Sequence, residues 1–214
     1  NMQLPSLDVT QNTKLQILTA YNNNFEDTND LNLTYNTELV RMDINHTKLR
    51  EIDLSHNTKL ENLKCDGEYM TELDLSRNTE LKNLVCQNNP FTELDLTNNP
   101  KLEVLWCFYT DMLNPPGTLK TVKLSENATE LKDVLLYNNI ITNLDLSKYT
   151  NLNNVRESNN RLACLDLTNS PNILDFTGIN QKVDLGKIAP DQYDLRNYDS
   201  NIDPTRISNV TGAT

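Results

Sequence analysis

Cysteine is the residue type with the greatest chemical potential in this chain of 214 residues. Cys65, Cys86 and Cys107 follow one another at intervals of 21 residues, whereas Cys164 stands apart. This spacing matches neither zinc-ligand patterns nor the frameworks of small disulfide-rich domains. If the three segments stacked as parallel strands, the cysteines would lie about 5 Å apart, which is within disulfide range, but their side chains would run parallel. We therefore interpret them as small core residues, and predict that Cys164 is exposed and free.

A row of aspartates and two histidines are the other groups that could do chemistry. Repeated aspartate binds calcium in some solenoids, but those sites need glycine-rich turns, and this chain has only 5 glycines. His46 and His56 have no nucleophile beside them, and no phosphate-binding glycine loop, metal-ligand cluster or nucleophile elbow occurs. We therefore predict no catalytic residue, no metal site and no cofactor. The aspartates are interpreted as a solvated acidic face, formed by Asp8, Asp53, Asp74, Asp95, Asp145, Asp166 and Asp184.

An internal repeat must position these residues. The segment Leu-Asp-Leu recurs at 73–75, 94–96, 144–146 and 165–167. Each half of the repeat at 81–99 has three apolar residues, separated by two residues and then by one, and an asparagine after two further residues. The second and third apolar residues point to one face of an extended segment, and the asparagine can bond the backbone of its turn and of the next coil. A single coil cannot bury its inner side chains, so the coils must stack.

This spacing of leucine and asparagine resembles the leucine-rich-repeat superfamily. More narrowly, it is similar to the bacterial class of 21-residue nested repeats found in cell-surface, adhesin-like proteins. The resemblance covers about residues 4 to 185, and the period lengthens at the first repeat and again between Tyr109 and Leu119. It implies a right-handed superhelix of about eight to nine coils, with a parallel β-sheet on one face, short strands or extended turns on the other, and little helix. We assign 1–185 to the solenoid and 186–214 to a C-terminal cap and the start of a linker.

Several coils depart from the pattern. Glu157 stands at the core position of Cys86 and Leu136. Tyr149 and Ser170 replace the asparagine of one turn, and Thr110 replaces that of the other. We therefore expect the last coils to be less regular, as is common near a cap.

The two faces differ in how much their outward residues vary. The Leu-Asp-Leu face presents aspartate in coil after coil, which indicates a structural role, whereas the sheet face changes from coil to coil and is free to fit a partner. Aromatic residues often dominate binding energy. The predicted ligand-binding residues form an apolar patch on three adjacent coils: Val85, Val104, Trp106, Phe108, Leu135 and Tyr137. Alternatively, the insertion at 110–118, with Met112 and Leu113, folds back over the patch, or the patch is an oligomer contact.

Charge limits the class of partner. The net charge of −11 argues against binding nucleic acid or an anionic membrane surface. No apolar run approaches the roughly 20 residues that span a bilayer, so we expect membrane contact only through an anchor outside these residues. The chain's ends predict a longer natural protein.

Together these features predict a binding module that is not an enzyme. Its ligand would be a protein, of host or extracellular origin, or a glycan. The resemblance implies a secreted or cell-surface location. The alternative is an intracellular protein–protein interaction scaffold or effector.

Overall fold

The chain forms a parallel β-solenoid. The computed structural model describes residues 3–110 and 117–178, and these residues contain ten short strands and no helix. The strands are β1 (Ile17–Thr19), β2 (Arg41–Asp43), β3 (Asn62–Lys64), β4 (Asn83–Val85), β5 (Glu93–Leu96), β6 (Val104–Trp106), β7 (Thr121–Leu124), β8 (Asp133–Leu135), β9 (Asn154–Arg156) and β10 (Asp175–Thr177). No membrane-spanning helix is found in this part of the chain.

Eight of the strands form the main sheet, in the order β1-β2-β3-β4-β6-β8-β9-β10, and β5 pairs with β7 on the opposite side. All pairings are parallel, and Asn62 pairs with Asn83, 21 positions later. The offset is 24 where Ile17 meets Arg41 and 29 where Val104 meets Asp133, which confirms the two lengthened repeats. The eight strands are joined by about seven turns, slightly fewer than the eight to nine coils predicted. The degenerate last coil at 183–185 and the cap at 186–214 lie outside the described residues.

The core is a narrow column of side chains from the middle of each strand and from two residues further on. Leu84 and Cys86 are both fully buried, as alternation along an extended segment requires. Cys65, Cys86 and Cys107 are buried free thiols and Cys164 is exposed, so both cysteine predictions are confirmed. Burial raises the pKa of the Cys65 and Cys86 thiols well above the ordinary value, which keeps them unreactive.

An asparagine ladder holds the turns on the side opposite the main sheet. Its members are Asn36, Asn57, Asn78 and Asn99, all fully buried. The Asn78 amide donates to the carbonyl of Leu54 (3.1 Å) and to that of Asn57 (2.9 Å) in the preceding coil. The other members repeat this pattern. The expected bonding between coils is therefore confirmed.

The later coils replace this ladder with other groups. Ala128 occupies the same turn position and brings no donor side chain. The Tyr149 hydroxyl donates to the carbonyl of Ser125 (3.2 Å), and the Ser170 hydroxyl donates to the carbonyl of Tyr149 (2.8 Å). At this position Tyr149 and Ser170 therefore each make one hydrogen bond to the preceding coil, whereas each ladder asparagine makes two.

A second column of residues forms the turn that follows six of the eight strands of the main sheet. Asn22, His46, Gly67, Asn88, Asn138 and Asn159 all have positive φ, between 57° and 70°. Asparagine and glycine tolerate this left-handed conformation better than other residues. The asparagine that follows bonds the coils, as when the Asn89 amide donates to the Cys65 carbonyl at 2.7 Å. The frequent Asn-Asn pairs therefore combine a turn residue with a bonding residue.

Candidate ligand-binding face

The apolar patch lies on the outer face of the main sheet, across β4, β6 and β8. Val85 pairs with Trp106 and Trp106 pairs with Leu135, so these three side chains form a row across the strands. Val104 stands two residues before Trp106 and therefore points to the same face. The structure thus brings these residues of the predicted site together.

The remaining two members extend the patch beyond the ends of the strands. The rings of Phe108 and Tyr137 stack with their centroids 4.3 Å apart and their planes 13° apart. Backbone bonds continue here, since the Tyr109 amide donates to the Tyr137 carbonyl at 3.2 Å. Two flat aromatic side chains are therefore held parallel on adjacent coils.

One member of the patch differs from its prediction. Leu135 is only 8% exposed, whereas the other five are half-buried, so the expectation that its side chain is exposed is wrong, and its part in binding stays a prediction. It stands in the row between Trp106 and Arg156, and cross-strand neighbours of that size lie close enough to cover an aliphatic side chain. Leu135 therefore lies in the row of the patch but adds little exposed surface to it.

Sequence reasoning missed a carboxylate at the edge of the patch. Asp133 stands between Val104 and Asn154 in the row next to Trp106, and it is half-buried. Burial raises the pKa of this carboxyl group, and the neighbouring Lys132 opposes that rise. Within residues 3–110 and 117–178, no ion pair or hydrogen bond engages this carboxylate. The signal in the sequence was an acid flanked by apolar outward positions.

Three polar atoms near the patch are also buried without a hydrogen-bond partner among the described residues. They are Gln87 Oε1, Trp106 Nε1 and Asn154 Oδ1. Two are acceptors on positions that flank the patch. Buried polar atoms usually have a hydrogen-bond partner, so these three atoms could bond a ligand.

The insertion joins the solenoid beside the patch. The Thr110 amide donates to Asn88 Oδ1 at 2.9 Å, and the Gly117 amide donates to the Asn138 carbonyl at 2.8 Å. The segment that would fold back over the patch, 111–116 with Met112 and Leu113, lies outside the described residues. Its two ends are therefore fixed at the turns that follow β4 and β8.

On the opposite side, the aspartates of the Leu-Asp-Leu segments are exposed and cap their own turns. Asp53 Oδ1 accepts the amide of Ser55 at 2.9 Å. Such bonds lower the pKa of the carboxyl groups of Asp8, Asp53, Asp74, Asp95, Asp145 and Asp166. Their uniformity thus has a structural cause, as the sequence predicted, and Asp184 lies outside the described residues. No group of three or more acidic, histidine or cysteine side chains in the described ranges is arranged to hold a metal ion.

A cleft of about 330 Å³ opens on this side between β7 and residues 142–149, which the sequence did not predict. The backbones of the two coils pair there at one isolated β-bridge, between Thr121 and Asn143. Two of its lysines are already paired, Lys123 with Glu93 and Lys148 with Glu126. The cleft therefore offers little net charge to a ligand.

Comparison with known proteins shows likeness in structure alone. No protein-family model matches the chain, and no curated protein matches it. The functional domain of InlJ from Listeria monocytogenes, which includes a cysteine ladder, is 24% identical with a TM-score of 0.51, over 89% of this chain and 53% of that one. A leucine-rich-repeat protein of Leptospira interrogans is 21% identical with a TM-score of 0.61, over 85% and 53%.

A plant structure is similar as well. It is the leucine-rich-repeat ectodomain of the membrane receptor kinase GASSHO1/SCHENGEN3 from Arabidopsis thaliana, in complex with CASPARIAN STRIP INTEGRITY FACTOR 2. It is 16% identical with a TM-score of 0.53, over 83% of this chain and 28% of that one. The chain spans about half the length of the two bacterial structures. With its asparagine ladder and parallel main sheet, the chain has the fold of these leucine-rich-repeat structures.

Proposed function

We propose that this chain is a non-catalytic module that binds a protein ligand on the outer face of the main sheet, at the apolar patch. The observation that carries the proposal is the stacked pair of Phe108 and Tyr137 beside Trp106, the only tryptophan. Half-buried aromatic side chains in a contiguous apolar patch are common sources of binding energy. They stand on the face whose residues vary from coil to coil.

The solenoid is suited to presenting such a patch without rearrangement. Each strand is bonded to the next, and buried ladders fix the turns on one side, so the side chains are held in place before the ligand arrives. A preorganised surface loses little entropy on binding. The eight strands of the main sheet, at roughly 4.8 Å spacing, offer a face long enough for an ordinary protein interface.

The likeness to other leucine-rich-repeat structures supports a protein ligand and a secreted or cell-surface setting. The Arabidopsis ectodomain was solved in complex with CASPARIAN STRIP INTEGRITY FACTOR 2, and the InlJ domain comes from a bacterium. We propose that this chain acts in the same way outside a bacterial cell. An intracellular scaffold would use the same face.

The test compares binding by variants of the patch. The purified chain is immobilised and exposed to extracellular protein from cells that contact its source organism, and to a glycan array. Trp106→Ala and Phe108→Ala are each expected to weaken capture of a protein ligand by roughly 30-fold or more, the effect of a hot-spot residue. Tyr35→Ala is the matched control, because Tyr35 is an aromatic residue 58% exposed that lies away from the main sheet.

Equal capture by all four proteins would refute the site, provided that their thermal unfolding is unchanged. Capture of glycans with no protein, lost in Trp106→Ala, would replace the protein ligand by a carbohydrate.

A further inference from the structure

We propose that the partner inserts an arginine side chain into this site, pairing its guanidinium group with the Asp133 carboxylate while its stem lies against Val104 and Trp106. This inference rests on the proposed function and specifies the chemistry of the ligand. It is carried by the position of Asp133 and by the acceptors around it.

Asp133 differs from the other acids nearby because its carboxylate has no ion-pair or hydrogen-bond partner among the described residues. Asp175 pairs with Arg156, and Glu103 pairs with Lys132, whose ammonium group lies 2.9 Å from Glu103 Oε2. Lys132 is thereby engaged, although it directly precedes Asp133 in the sequence. Among the described residues, the Asp133 carboxylate therefore has no ion pair, and Lys132 acts on it only at longer range.

The surroundings make this carboxylate receptive to a cation. A charged group that is partly removed from water loses hydration energy unless it is paired, and the raised pKa of Asp133 reflects that loss. An incoming cation that pairs with the carboxylate compensates for the lost hydration energy. Truncating one member of such a desolvated pair typically costs a protein complex substantial affinity.

Arginine fits this site better than lysine. The guanidinium group is planar, carries five N–H donors and binds a carboxylate through two of them. The neighbouring Asn154, which pairs with Asp133 across the strands, adds an acceptor, Oδ1, without a donor among the described residues. The same planar group stacks on an aromatic face such as that of Trp106.

The charge of the whole chain favours the same partner. With a net charge of −11, the protein attracts a basic surface over a distance and repels an acidic one. A neutral sugar could pack against the stacked rings of Phe108 and Tyr137, but it would provide no charge to pair with Asp133. The observations thus favour a basic protein surface over a carbohydrate.

The test uses a random peptide library displayed on phage and selected on the intact chain. Selected peptides are expected to be enriched in arginine next to apolar residues, and to change the fluorescence of Trp106, which is the only tryptophan. Their affinity for Asp133→Asn is expected to fall at least about tenfold, equivalent to about 1.4 kcal/mol. Asparagine suits this position, since Asn83 and Asn154 occupy the same row of the sheet.

Glu130→Gln is the matched control. It removes the same charge from an exposed residue of the same coil, outside the face, and is expected to leave affinity unchanged. Peptides that need Trp106 but show no arginine enrichment, or that bind Asp133→Asn and Glu130→Gln equally, would overturn the arginine proposal and leave the proposed function standing. Selection of no peptide sensitive to Trp106→Ala would count against both.

Discussion

Replacing Asn78 tests whether the asparagine ladder stabilises the solenoid through its amide donors. The side chain is fully buried and donates to the carbonyls of Leu54 and Asn57 at 3.1 and 2.9 Å. Each carbonyl also accepts a backbone amide, from Asn57 and Leu60 respectively, at 3.0 Å. Asn78→Ala therefore removes two bonds but leaves each carbonyl with one donor.

The expected loss follows from that count. A buried hydrogen bond contributes about 1 kcal/mol net, so Asn78→Ala is expected to lower the free energy of unfolding by about 2 kcal/mol. For a chain of this size, that corresponds to a fall in Tm of about 4–8 °C. Ala128, at the same turn position of a later coil, shows that alanine is compatible with the turn.

Asn78→Asp separates the donors from the shape of the side chain. Aspartate has nearly the same size, but its charged form would direct oxygen at two carbonyl oxygens and place a charge in the core. We expect it to be less stable than Asn78→Ala at neutral pH by at least about 1 kcal/mol. The difference is expected to shrink in acid, where the protonated side chain can donate one bond.

The assay is urea-induced unfolding followed by the fluorescence of Trp106 and by circular dichroism. Asn127→Ala is the control, because Asn127 is an exposed asparagine and such substitutions usually change stability by less than about 0.5 kcal/mol. If Asn78→Asp were as stable as Asn78→Ala at neutral pH, or Asn78→Ala as stable as Asn127→Ala, the ladder would not act through its donors.

Two further substitutions test other parts of the fold. Gly67→Ala is expected to lower the free energy of unfolding by about 1–2 kcal/mol, because Gly67 has φ +70° and an added Cβ would lie 2.2 Å from His46 Nδ1. Thermal unfolding should show a smaller loss when the same change is made in a His46→Asn variant. Equal losses in both proteins would exclude the clash. Glu157→Gln is expected to stabilise the chain progressively as pH rises above about 4.5. Burial raises the pKa of Glu157 well above that ordinary value, so the native state binds the proton more tightly than the unfolded state and loses stability as the pH rises. Glutamine does not titrate and avoids this loss. Unfolding measured across pH checks this, and a gain independent of pH would contradict it.

The repeat made most of the fold predictable. The positions of Leu84 and Cys86 define which residues face inward, and the same spacing places Glu157 in the core, where it is fully buried. Asparagine at each turn predicted the bonding between coils. The number of turns was slightly overestimated, since the last predicted coil depended on a degenerate segment at 183–185.

The candidate site was less predictable because exposure depends on neighbours that are distant in the sequence. Outward position alone placed Leu135 in the exposed patch, but its cross-strand neighbours, Trp106 and Arg156, depend on which strands meet after an insertion. The same register brings Asp133 beside Val104, 29 positions earlier. Similarly, the cleft near Tyr149 lies between two coils, and the sequence of one coil does not show how closely the next approaches it.

The regular offset between paired strands has a consequence for how the chain folds. Because most pairings in the main sheet join residues 21 to 29 positions apart in a chain of 214, the mean separation of contacts gives a relative contact order of about 0.1, a value typical of fast-folding helical bundles. Sheet proteins usually fold slowly because their strands must meet from distant parts of the sequence. In this chain a pair of neighbouring coils can form first and each further coil can add to it, so folding can start at several places and spread in both directions.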